Sequence, residues 1–435
     1  MDLRKDPVIK IFFKYLLPSV AGMLSVGILI FIDTLFIGRG IGSLGLAALT
    51  TAVPMFTLYS SIGLLLGMGG ATLGAIELGR GKKDSLKIAF TNALLLAIGL
   101  SIILTIIQQF FLKDIVNGLG ATREIYDMVR SYLKMISIFT CFYLIPTTMN
   151  IFIRNDNNPN LAMIGMMICG ITNIVLDYIF IFIFKWGMMG AAAATGISQL
   201  IYTLVLATHF ISSKNTLGIV KDGFNLRVLR RIIKIGFPSF ITDAFGGVII
   251  FLLNGVLFKL SGSIGVSAYA IILNINWMIY LLYLGISQAS QPIISINYGS
   301  NLKNRLKEIL KIGVITSFCS GILIYIGVVF YRGDLVSLFV NENKELTEVA
   351  TNGFPLFFIA IIFMGFNLFM GTYFQAVEET KISIFIMFSR SLGMTMIFLY
   401  PMAKFYGIEG IWLTLPLAEM TTTGLIIWWI RKKMV

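Results

Sequence analysis

The sequence predicts an all-α integral membrane protein. It has twelve transmembrane helices in two six-helix lobes related by a parallel pseudo-two-fold repeat, V-shaped around a central cleft. Three observations carry this. The 435 residues are 57% hydrophobic and 13% charged, whereas a soluble domain carries about a quarter charged residues. Apolar runs recur from end to end, each near the ~20 residues that cross a bilayer as a helix. Moving the chain 220 residues along itself brings matching residues into register over a whole six-span unit.

The spans are placed at 11–38, 47–76, 88–112, 127–152, 160–184, 188–211, 231–258, 267–296, 309–331, 349–374, 382–403 and 408–430. The opening apolar run lacks a small-residue cleavage site and reads as the first span rather than a signal peptide. Most connections are short. The longest, 212–230, is polar and basic (SSKNTLGIVKDGFNLRVLR) and falls midway. It divides an N-lobe of 1–211 from a C-lobe of 231–435.

Orientation follows from the basic residues. With a cytoplasmic N-terminus, 23 of the 34 Lys and Arg fall on the inner side and ten on the outer, with Arg390 inside a span. Excess Lys/Arg marks the cytoplasmic face. Both termini are therefore expected inside a cytoplasmic membrane. The net charge of +13 reads as topology and not as nucleic-acid binding, because the basic loops carry no interleaved aromatic residues.

The repeat shows in particular pairs. Pro18-Ser19 falls on Pro238-Ser239, Gly42-Ser43-Leu44-Gly45 on Gly262-Ser263-Ile264-Gly265, Gly79 on Gly299, and Gly187 and Gly190 on Gly407 and Gly410. Six spans separate the copies, so both start from one side of the membrane. Their axis lies along the membrane normal, as in parallel transporter repeats.

Composition also limits the chemistry. Cys141, Cys169 and Cys319 lie in apolar segments without CxxC spacing and read as small buried hydrophobes. A single histidine, His209, leaves no His base for a serine nucleophile and no second imidazole for a metal. No enzyme and no cofactor are expected.

Polar residues inside the spans are then the functional candidates, since a charge at mid-membrane costs about 2.5–3.5 kcal/mol on insertion scales. Asp33 stands in span one within IFIDTLFIG. Asn173 and Asp177 stand in span five within CGITNIVLDYIF, at i,i+4 and so on one helix face. Asp33 lies six residues before Arg39 and Asp177 eight before Lys185, roughly 9 and 12 Å from the outer ends at 1.5 Å per residue. Tyr132 of span four and Thr195 of span six reach the same layer. Carboxylate, amide and hydroxyl oxygens suit Na⁺ or another small hard cation, and two like carboxylates in a low-dielectric site also suit a proton carrier. At the 220 offset these positions fall on Leu253, Gly393, Ile397 and Leu415 for Asp33, Asn173, Asp177 and Thr195. The acidic set belongs to the N-lobe alone. Of the other charges, Glu77 is expected to meet cytoplasmic water at the end of span two, and Arg390 and Glu419 to neutralise each other. Asn150 and Gln291 are assigned to the substrate path.

Several stretches taken in order resemble the multidrug and toxic compound extrusion (MATE) family over essentially the whole chain. They are LPS at 17–19, IDTLFIGRGIGSLGLAAL, ELGRGKKD, NIVLDYIF, KWGMMGAAAAT, and in the second half FPS, INYGSN and FYGIEGIW. The resemblance implies a drug-accommodating cleft and alternating access driven by Na⁺ or H⁺ entry. In the DNA-damage-inducible F-type branch it implies an N-lobe ion site matched here by Asp33, Tyr132, Asn173, Asp177 and Thr195. The norfloxacin-exporter branch uses acids in spans seven and ten. Span ten here has none, and Asp243 sits near the cytoplasmic end of span seven. The expectation is a monomeric cation-coupled antiporter exporting amphipathic, often cationic, small molecules through the lipid bilayer. A lipid-linked glycan flippase of similar architecture is the alternative. It needs cleft-facing basic residues for pyrophosphate, and Arg390 is the one clear intramembrane candidate.

Overall fold

The computed structural model describes residues 2–213, 215–221, 223–340 and 343–434, without the side chains of Lys433 and Met434. Lys214 and the side chain of Lys433, both among the basic residues counted above, lie outside what is described. Every regular element among the described residues is helical.

Among the described residues, twelve spans are present once the bends are resolved. Six are simple: Val8–Gly40, Ser43–Gly79, Ser85–Phe110, Pro159–Ile183, Gly187–Ile211 and Lys303–Phe330. Two are bent pairs, Tyr126–Ile138 with Thr140–Asn155 at 55° and Lys344–Phe358 with Ala360–Ala376 at 43°. The 74-residue run Leu226–Gly299 is two helices, broken by non-helical backbone at Ser261 and Gly262. Thr380–Lys432 is likewise two, broken at Gly407.

The backbone repeats itself as the sequence does. Left-handed φ recurs at Gly42 and Gly262, at Gly81 and Asn301, and at Gly187 and Gly407, each pair 220 residues apart. The bends at Phe139 and Ile359 are a further such pair. Gly42, Gly187 and Gly407 close tight turns at φ 95°, 57° and 57°, where a Cβ would be strained. The shared glycines therefore mark places where the chain must turn sharply between spans.

The chain forms two compact units, Met1–Phe240 with Ser295–Leu302 and Ile241–Ile294 with Lys303–Val435. The start of span seven and the end of span eight thus belong to the first unit. Missing side chains explain this. A Cβ on Gly236 would overlap the Leu65 carbonyl, one on Gly69 the Ile232 carbonyl, one on Gly299 the Ile76 carbonyl, and one on Gly79 the Ile296 carbonyl. Small residues let helix backbones touch where the apolar effect gives no drive between helices in lipid. Glu77 differs from expectation. It is 7% exposed and bonded to Arg80 at 2.7 Å, Lys82 at 2.6 Å and Arg231 at 3.0 Å. Three cations hold it at the junction of spans two and seven. Cys319 is exposed and not buried, because the lipid-facing surface of a span is as apolar as its core.

The connector 212–230 is laced to the first unit along its described length. Asp156 accepts from the Thr216 amide at 2.7 Å and from the Thr216 hydroxyl, and lies 2.7 Å from Nε2 of His209. Thr91 accepts from the Val220 amide at 3.1 Å. Asn92 donates to the Gly223 carbonyl at 2.7 Å and accepts from the Asn225 amide at 2.9 Å. Asn225 then caps span seven, its Oδ1 accepting from Arg227 N–H at 2.8 Å. The lone histidine is therefore a buried structural residue. Replacing Asp156 by Ala strands the Thr216 amide and His209, and buried groups without partners cost about 1–3 kcal/mol each. The expected result is a lower melting temperature in detergent and faster proteolysis in the connector.

Candidate ion site in the first bundle

Asp33 and Asp177 reach one another because spans one and five pack closely along their length. A Cβ on Gly22 would press on Met166 at 2.7 Å, one on Gly170 would touch Leu29 at 3.7 Å, and one on Gly40 would overlap Ile181. Asp33 precedes the end of its helix at Gly40 by seven residues, about 10 Å at 1.5 Å per residue. Asp177 is the last α-helical residue of span five, which continues as a π-helical stretch, Tyr178–Ile183. Such widened turns recur at functional positions.

The two carboxyls lie within hydrogen-bonding reach of each other. Asp177 is fully buried and Asn173 is 1% exposed. Asn173 bridges to span six. Its Nδ2 stands 3.3 Å from the Thr195 hydroxyl. With the amide turned end for end, Nδ2 donates to Asp177 Oδ2 at 3.0 Å and Oδ1 accepts from Thr195 N–H at 3.3 Å. The surroundings require that orientation, since it satisfies both ends. The Thr195 hydroxyl donates to the Ala191 carbonyl at 2.9 Å. Tyr132 is 2% exposed, and its hydroxyl lies within hydrogen-bonding reach of Thr195. All five residues predicted for the ion site therefore come together.

Four further residues shape the site and were not anticipated. Phe56 of span two packs on Tyr132 at 5.6 Å and on Tyr143 at 5.8 Å between ring centres. Gln108 of span three donates to the Leu133 carbonyl beside Tyr132 at 2.8 Å, and its Oε1 accepts from Tyr59. Tyr143 packs on Tyr59 as well, at 5.9 Å between ring centres. No spacing announced them, because Tyr132 and Tyr143 stand on opposite sides of the 55° bend of span four.

Within the described residues, Asp33 Oδ1, Asp177 Oδ1 and the Tyr143 hydroxyl have no hydrogen-bond partner. Most buried polar groups are partnered. Unused oxygens beside two facing carboxyls have the chemistry to take up a proton or to coordinate a small hard cation. Asn173 fixes Asp177 in place, so Asn173→Ala is expected to weaken apparent cation affinity about 10–100-fold, as loss of a ligand-orienting partner does. Titration of cation-dependent tryptophan fluorescence measures this.

The two residues assigned to the substrate path are both buried. Asn150 is 2% exposed, donates to the Ala162 carbonyl at 2.9 Å and accepts from Arg154 at 2.8 Å, so its amide cross-links spans four and five. Gln291 is 1% exposed in the second-unit part of span eight.

The repeat and the fold have counterparts among known proteins. The MatE family profile matches residues 18–179 and again 238–400, so one family unit occurs twice, 220 residues apart. The multidrug export protein MepA of Staphylococcus saprophyticus subsp. saprophyticus is 26% identical over 420 residues, covering 95% of this chain and 92% of that protein. MepA of Staphylococcus aureus strain MSSA476 is 27% identical over 425 residues with the same coverage. Among solved structures, an outward-facing multidrug resistance MATE family transporter of the MOP superfamily superposes with a TM-score of 0.93 at 22% identity, over 99% of this chain and 96% of that one. A MOP superfamily transporter from Pyrococcus furiosus superposes at 0.92 and 21% identity, with the same coverage. The doubled profile match and the twelve-span fold make this chain a multi-pass membrane protein that belongs to the MATE family.

Proposed function

We propose that the protein is a cation-coupled antiporter that exports amphipathic, often cationic, small molecules across the cytoplasmic membrane. The observation that carries the reading is the facing pair of half-buried Asp33 and fully buried Asp177, each with an inaccessible, unpartnered oxygen. Relatives called multidrug export proteins support the substrate class. The five-residue set of the first bundle supports the F-type branch, and the distribution of Lys and Arg supports cytoplasmic termini.

The mechanism follows from charge. Two carboxyls at this range hold a proton or a cation between them more readily than two full negative charges. A Na⁺ or H⁺ arriving from outside therefore changes what spans one and five can do. Empty, the like charges repel across the helix contact; filled, they allow close packing. The ion drives the cycle because it binds one arrangement better than the other, and a ligand indifferent to the two arrangements would move nothing. The protein acts as a monomer, since each chain holds a complete ion site. A glycan flippase has less support, because Arg390 is committed to Glu419 at 2.6 Å.

The test is dye efflux from proteoliposomes under separately imposed Na⁺ and H⁺ gradients. The proposal expects efflux that follows at least one gradient. Efflux indifferent to both, or exposure of lipid-linked sugar in place of dye transport, would refute it.

A further inference from the structure

The second unit contains a charged cluster that the transport cycle above does not use. Arg390 of span eleven and Glu419 of span twelve are 6% and 0% exposed. Arg390 Nη2 donates to Glu419 Oε1 at 2.6 Å, and Nε lies 3.4 Å from Oε2. Asn367 of span ten donates Nδ2 to Oε2 at 2.6 Å and to the Glu419 carbonyl at 2.9 Å. Its own Oδ1 accepts from the Thr423 hydroxyl at 2.9 Å. Three helices thus converge on one carboxylate, and its charge is met by one guanidinium.

The helix geometry gives a second, independent observation. Ser389–Gly393 is wound as a π-helix, and Arg390 lies within it. Span eleven is the repeat partner of span five, whose own π-helical stretch starts directly after Asp177. Asp177 thus stands directly before the widened stretch of the fifth helix in the first half, and Arg390 stands inside that of the fifth helix in the second, although the two stretches lie at different places along the repeat. The signs differ. At an offset of 220 or 221, Asn173 and Asp177 fall on Gly393 or Met394 and on Ile397 or Phe398, all uncharged. Arg390 falls on Gly170 or Cys169. The second half supplies a cation from its fifth helix where the first supplies an acid.

We infer that Glu419 and Asn367 form a second cation site, filled permanently by the chain's own Arg390 guanidinium. The tethered cation stands in for the exchangeable ion that the first bundle takes at Asp33 and Asp177. This rests on the proposed function only for that comparison. A tethered ion neutralises its carboxylate without leaving, so the second bundle keeps one charge state through the cycle. Ion uptake and release are then confined to the first bundle.

Arg390→Ala empties the site while leaving Glu419 and Asn367 in place. The expected result is saturable binding of methylguanidinium to the purified full-length variant, read as a rise in melting temperature that the wild type does not show. Dye export by the variant in proteoliposomes should fall at least tenfold and recover to within threefold of wild type with methylguanidinium. The binding measurement needs no gradient, so failure of the proposed coupling at Asp33 leaves it readable. No methylguanidinium-dependent rise in melting temperature, or full export without the probe, would overturn the inference. If Arg390→Ala does not fold, the neutral pair Arg390→Met with Glu419→Gln decides. It should export within threefold of wild type with no response to methylguanidinium, and a folded but inactive double variant would overturn the inference equally.

Discussion

Replacing Asp33 by Asn is expected to reduce gradient-driven dye export to the level of empty liposomes while leaving a folded protein. Asn matches the shape of Asp and carries no charge. It therefore removes the difference in ion affinity between the two arrangements of spans one and five, and a ligand without that difference shifts no population. Folding is spared for a separate reason. Two facing carboxyls, one of them fully buried, are costly to hold charged away from water, and a neutral amide in place of one relieves that cost. A melting temperature equal to or above wild type, with export lost, is the expected pair of results. Asp177→Asn should behave alike, because either acid alone leaves the other without its charge partner.

Gly236→Ala is expected to have the largest effect on stability of any single methyl addition at the start of span seven. The new Cβ would occupy the space of the Leu65 carbonyl. A backbone oxygen cannot rotate away as a side chain can, so spans two and seven must separate. Overpacking of this kind costs about 1–3 kcal/mol. The same separation pulls Arg231 from Glu77, now 3.0 Å away. Thermal denaturation in detergent should show the loss. Gly246→Ala provides the control, since a Cβ there meets nothing within 4 Å.

Much of this was legible because a membrane makes a few residues conspicuous. Asp33 and Asp177 stand out in apolar runs, where a charge without a purpose is costly. The repeat was readable through Gly42 and Gly262, and through Gly187 and Gly407, because left-handed turns leave little choice but glycine. Other features gave no such signal. Tyr143 and Gln108 are ordinary occupants of a span, and only folding brings them to the site. Glu77 sits beside Arg80 and Lys82 in sequence, as a solvated helix end would. Its burial depends on Arg231, 154 residues away. The lacing of the connector rests on Asp156, Thr91 and Asn92, three polar residues at inner helix ends whose partners lie 60 to 133 residues on. The break at Ser261 and Gly262 was expected from the repeat, because Gly262 falls on the turn glycine Gly42.

The proposed transport cycle depends on one place, between Asp33 and Asp177, accepting one exchangeable positive charge. Equilibrium binding of radioactive Na⁺ to the purified protein, together with proton uptake and release read by an indicator dye, measures this directly. Saturable Na⁺ binding, or release of protons on adding a cationic dye, should occur in the wild type and vanish when Asp33 and Asp177 are both changed to Asn. Equal signals from the double variant and the wild type would show that the charge is bound elsewhere.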